Sequence, residues 1–174
     1  MNLLDLLDSV GGTQSLSNLA GSLGLDPAKA NDLITAVAPS VMGAMKKQTT
    51  SADSYSNLKN ALRTGKHQEY INNPDLMSSQ NSVADGNNIL GHLFGSKDVS
   101  RNVAARAAEN TGIDVSLIKK ALPLIAGLAM GAVSKSSEAG NSSNSGMSDM
   151  LSGLVGDGDG IDLDDMLNLA KKFF

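Results

Sequence analysis

Asp157, Asp159 and Asp162, interleaved with Gly158, Gly160 and Ile161, are spaced so that they could hold a cation. Oxygen ligands at alternate positions before a glycine are the way an EF-hand loop wraps calcium. The register fails at both ends. With Gly160 at the obligatory glycine, Val155 takes the first ligand position and Met166 the twelfth, and both should be acidic. The segment 157–162 therefore reads as an acidic turn ahead of a helix, and no metal ligand is assigned. His67 and His92 are the only histidines, and neither has a second histidine four residues on or a cysteine nearby. His92, within the apolar stretch 89–94, reads as a packing histidine. Serines and aspartates abound, but no nucleophile-elbow pattern supports a triad, and Gly95-Ser96-Lys97 lacks the upstream glycine of a phosphate loop. The absence of cysteine excludes disulfides, thiolate metal sites and a cysteine nucleophile. No catalytic residue and no cofactor is assigned, and a non-enzymatic protein is expected.

Nucleic-acid chemistry is the second class to weigh. Ala20, Gly24 and Ala30 sit at the small, glycine and apolar spacings of a helix-turn-helix, and Ala108, Gly112 and Ile118 repeat them. These are steric positions, where helices cross and the turn closes. Base reading also needs Arg, Lys, Asn or Gln on the second helix. The first copy offers Lys29 and Asn31 beside Asp32, and the second only Lys119 and Lys120. Net charge is −4, with −5 of it in residues 136–174 and +2 in residues 111–135, so no basic stripe runs along the chain. A nucleic-acid partner is disfavoured and kept as the alternative.

The elements that would position any site read as helices. Apolar residues recur at spacings of three and four, and alternation with β-branched residues is nearly absent, which predicts an all-α fold. Comparison of the chain with itself at a shift of 88 residues lays Gly24, Asp26, Ala38, Met42, Gly43, Ala44 and Lys47 on Gly112, Asp114, Ala126, Met130, Gly131, Ala132 and Lys135 without a gap. Two pseudo-repeated helical units follow. In each, glycine ends one helix and aspartate caps the next. Gly127 and Gly131 would let two helix backbones approach closely, while Pro39 and Pro123 should kink or split the long apolar helices. Between the copies, residues 51–63 read as a polar helix, 65–70 as a short one, and 72–88 as a long loop.

Residues 134–146, rich in Ser, Gly and Asn, read as a linker, which divides the chain into a helical repeat domain at 1–135, a flexible linker at 136–146 and a C-terminal helical tail at 147–174. The tail carries two helical faces. Met147, Met150, Leu151, Leu154 and Val155 form one; Leu163, Met166, Leu167, Ala170, Phe173 and Phe174 form the other, with acids in its first turn and Lys171 and Lys172 in its last. An apolar face of this size must dock on the chain's own core, on a protein partner or on a second copy. Leu163, Met166, Leu167, Phe173 and Phe174 are the expected partner-binding residues. The first residues lack a basic region and break their apolar run with Asp5 and Asp8, so a cytoplasmic location is expected. The apolar run 121–133 is shorter than the roughly 20 residues of a membrane span and reads as a buried helix.

The stretch Gly86-Asn87-Asn88-Ile89-Leu90-Gly91-His92-Leu93-Phe94-Gly95, the Thr111-Gly112 turn and Leu122-Pro123-Leu124-Ile125-Ala126 together resemble an uncharacterised bacterial family, domain of unknown function 937, with YidB-like relatives. Asn73-Pro74-Asp75, the opening run from Leu3 to Leu7, and the closing Asp164-Asp165-Met166-Leu167 and Lys172-Phe173-Phe174 match it as well. The resemblance spans most of the chain. It implies an all-helical fold with a homeodomain-like arrangement of helices, and it implies no activity and no catalytic residues.

Overall fold

The computed structural model describes residues 3–139, and all the regular structure among them is helical. Eight α-helices follow in order: α1 (Leu3–Ser9), α2 (Thr13–Leu23), α3 (Pro27–Gln48), α4 (Ala52–Thr64), α5 (Glu69–Asn72), α6 (Gln80–Phe94), α7 (Lys97–Thr111) and α8 (Val115–Ala139). A short 3-10 turn, Pro74–Ser78, joins α5 to α6.

Local chemistry sets the boundaries. Gly24 ends α2 at φ 65° and Gly112 ends α7 at φ 69°, a left-handed conformation that a β-carbon would strain. Two residues on, the Asp26 carboxylate accepts from the Lys29 N–H, and the Asp114 carboxylate accepts from the Ser116 N–H. Serines start three more, α4, α6 and α7: Ser51, Ser79 and Ser96 each accept a backbone N–H three residues ahead. Such a cap is worth about 1 kcal/mol.

Three expectations are corrected. Residues 72–88 are not a long loop, since the 3-10 turn and most of α6 occupy them. Pro39 and Pro123 do not split their helices; α3 and α8 each run through unbroken. One lost backbone bond is offset by neighbours such as Val37, Val41, Leu122 and Ile125, each worth about 1.5–3 kcal/mol when buried. Finally, α8 continues to Ala139, past 135 where a linker was expected to begin, and Ser134 is buried within it.

Helix α8 is the centre of the molecule. Every residue from Ala121 to Ser134 is buried, and α1, α2, α3, α4, α5, α6 and α7 all pack against it. By length and mean hydropathy (1.5) the segment Val115–Ser137 is long and apolar enough to cross a bilayer, but here most of it is buried by the other helices. Helix α3 buries one face, through Ala30, Leu33, Ile34, Val37, Ala38, Val41, Met42 and Met45.

Two glycines allow the closest crossings. A β-carbon on Gly86 would collide with the backbone of Pro123, and one on Gly131 with the carbonyl of His67. The close approach expected at Gly131 is present, but to the turn ahead of α5 rather than to a second helix. Gly127 makes ordinary contact with the Tyr70 ring, 3.5 Å from where its β-carbon would lie.

Candidate functional site

Two groups of polar side chains are brought together by this packing. The first lies between the two halves of the chain, where the connection through α4 and α5 crosses α6 and α8. His67, just before α5, is buried, and its Nδ1 lies 3.0 Å from Asp85 Oδ2 on α6. Tyr70 donates its phenol proton to the same oxygen at 2.9 Å. An ionised carboxylate only accepts, so Nδ1 carries the proton in this pair. Burial foremost, then the hydrogen bond to Asp85, pushes the Tyr70 phenol well above its ordinary range.

Around this cluster two serines tie side chains and backbone together. Ser134 on α8 donates to the Leu62 carbonyl at 2.9 Å and accepts from Gln68 Nε2 at 3.1 Å. Ser15 on α2 donates to the Tyr70 carbonyl at 2.6 Å. Among the described residues no buried side-chain nitrogen or oxygen lacks a partner. Gly65 lies against the Nε2 edge of His67, where a β-carbon would not fit. The His-Asp-Tyr group thus fastens the α4–α5 connection onto α6, while Ser134 ties the same connection to α8.

The second group is a cleft of about 470 Å³ between α6, α7 and the start of α8. Asn87, Leu90 and Gly91 line it from α6, Ser100 and Arg101 from α7, and Lys119 and Leu122 from α8; Ser96 and Lys97 close it where α7 begins. Lys97, Arg101 and Lys119 are exposed, while Leu90 and Leu122 form a buried floor. Arg101 also pairs with Asp98 at 3.1 Å, an exposed contact one turn back. The helix N-terminus of α7, capped by Ser96, adds its partial positive charge to the three cations. Such a cleft favours an anion, and neither His67 nor Asp85 lines it.

Gly95-Ser96-Lys97 proves to be helix punctuation: Gly95 ends α6 at φ 69° and Ser96 caps α7. His92, expected to pack, is exposed on α6, and His67 is the buried histidine. No group of three or more His, Cys, Asp or Glu able to hold a metal occurs among the described residues. Leu163, Met166, Leu167, Phe173 and Phe174, together with the acidic turn at 157–162, lie outside the described residues. Sequence reasoning missed the His67–Asp85–Tyr70 cluster and the convergence of Lys97, Arg101 and Lys119. The latter left no local signal, because Lys97 and Arg101 lie in the stretch 49–110, whose net charge is zero, and only Lys119 lies in the +2 stretch 111–135.

No curated protein matches the chain, and no solved structure does. A family model described as "Bacterial protein of unknown function (DUF937)" matches residues 5–136. The chain belongs to that family, a bacterial group whose function is unknown.

Proposed function

We propose that this chain is a non-enzymatic interaction protein, in which a helical core presents a C-terminal helix that binds a protein partner or a second copy through Leu163, Met166, Leu167, Phe173 and Phe174. The carrying observation is the finish of the core's own surface. Among the described residues the large hydrophobic side chains left exposed are Val83, Val99 and Val115, each between 36% and 41% accessible. Three half-covered valines offer little for two phenylalanines, a methionine and two leucines to bury against. The tail's apolar face is therefore matched to a surface on another molecule.

The core is read as two pseudo-repeated units in a homeodomain-like arrangement, α1–α3 and α6–α8. Supporting this, the ends of α2 and α7 and the starts of α3 and α8 are all offset by 88 residues. Each of the eight buried positions of α3 falls, at that offset, on a buried position of α8. Gly24 and Gly112 share the left-handed conformation. Burial of α8 along Ala121–Ser134 leaves only its opening turns exposed, with Lys119 and Lys120 as the cations there, which is little surface for base reading.

The test is a pull-down from native lysate comparing the full chain, a truncation after Gly140 and the full chain carrying Phe173→Ser and Phe174→Ser, with sedimentation of each to detect a second copy. A partner or dimer seen with the full chain and lost in both variants is the expected result. Retention by the truncated chain, or by none of the three, would sink the reading.

A further inference from the structure

We propose that the cleft between α6, α7 and α8 is the docking surface for this chain's own acidic segment, residues 157–165, whose carboxylates sit on Lys97, Arg101 and Lys119. The argument rests on charge, on reach and on the shape of the cleft.

The described core is neutral, with twelve Lys and Arg against twelve Asp and Glu, while residues 140–174 hold two lysines against six aspartates. Five of those six, Asp157, Asp159, Asp162, Asp164 and Asp165, fall within nine residues. On the core, three cations and the α7 N-terminus face one cleft whose lining contains no carboxylate. The largest concentration of negative charge in the chain and this cleft are therefore complementary. Ser96, Ser100 and Asn87 in the lining add neutral donors, suited to a backbone or carboxylate lying across it.

Reach permits the contact within one molecule. Lys119 lies twenty residues before Ala139, roughly 30 Å along α8. Residues 140–156 can extend to about 55–60 Å, which covers the return with length to spare. A covalent tether also holds the segment at an effective concentration of order millimolar, enough for a contact built of exposed ion pairs that would be weak between separate molecules. In this arrangement the acidic turn has a use that needs no calcium. The inference rests on the C-terminal segment of the proposed function but not on the existence of its partner.

The chain has no cysteine, so Gly160→Cys accepts a single spin label, and the amide signals of Gly91, Ser96, Ser100 and Lys119 in the full chain report its approach. The expected result is broadening of those four signals. It is lost on Asp→Asn replacement of the five aspartates, on combining Lys97→Glu, Arg101→Glu and Lys119→Glu, and in about 1 M salt, where screening shortens to about 3 Å. Replacing the aspartates leaves the described core untouched, so it decides the matter even if charge reversal perturbs folding. Phe173→Ser with Phe174→Ser, which abolishes partner capture in the previous test, leaves the broadening in place. Unbroadened cleft signals overturn the proposal. So does broadening that occurs only between a labelled and a separate isotope-labelled chain, which places the segment on a second copy. A short DNA duplex that shifts the four signals equally with and without the five aspartates overturns it too, since the cleft then serves nucleic-acid phosphates.

Discussion

The backbone of Gly86 rests on the carbonyl of Pro123, so α6 and α8 cross with no side chain between them. Ile89, Leu90 and Leu93 on one side and Leu122, Leu124 and Ile125 on the other are buried around this crossing. The glycine costs α6 some helix propensity, and the close approach offsets it with a larger buried surface.

Gly86→Ala should therefore destabilise the protein by about 1–3 kcal/mol or more, because the obstacle is a backbone and cannot rotate away. Gly91→Ala, in the same helix with open space around it, should instead stabilise by about 0.5–1 kcal/mol. Urea unfolding followed by the helical circular dichroism signal separates the two. Equal effects at both positions would contradict the crossing.

Asp85 serves His67 and Tyr70 through one oxygen, so its removal strands both partners. Asp85→Ala is expected to cost about 1–3 kcal/mol and Tyr70→Phe about 0.5–1.5 kcal/mol. The double variant should fall short of the sum by 0.5 kcal/mol or more, roughly the coupling of groups in one network. Strict additivity in a double-mutant cycle would show that the phenol and the carboxylate do not share this bond.

The same phenol predicts an alkaline signature. Its folded-state proton affinity is raised from the ordinary 10.0 by burial first and Asp85 second. Above pH 10 the unfolded chain therefore releases a proton that the folded chain keeps, and stability must fall as pH rises through that window. Below pH 10 the contribution is fully present. Tyr70→Phe removes this slope, so the stability difference between wild type and variant should shrink as the pH is taken upward from 10; a constant difference would refute it.

At Ser79 the hydroxyl accepts from the Ser82 N–H and donates to the Leu76 carbonyl at 2.7 Å, closing the 3-10 turn and opening α6 together. Ser79→Ala should cost about 0.5–2 kcal/mol. Hydrogen exchange should accelerate first at the amides of the opening turn of α6. Unchanged protection there would mean that the helix starts without its cap.

Helix α6 also shows where the sequence was hard to read. Its inner face is Ser82, Gly86, Ile89, Leu90 and Leu93, a helical spacing in which the first two residues are small or polar rather than apolar. The tight crossing with α8 requires this, and it hides the periodicity behind residues that look like a loop. The turns at Gly24 and Gly112 were legible because their chemistry is local: one glycine, one aspartate and a helix on each side. The cleft was not, since Lys97, Arg101 and Lys119 are gathered from two helices and meet only once those helices pack against each other and α6. Nor was the His67–Asp85 pair, whose members are separated by 18 residues and an intervening turn.

The placement of α8 at the end of the described chain has a consequence for how the protein is made. A nascent chain appears from its N-terminus, and α1 to α3 are complete when residue 48 has been added. Their inner faces, including Leu3, Leu6, Leu7 and Val37, must then wait for the helix that packs against them. At about 5–20 residues per second, the interval until residue 134 is synthesised is roughly 4–17 s. Throughout it the leading helices display uncovered leucine and valine to the surrounding solution. The apolar faces of the first half of this protein are therefore completed only when the last helix arrives.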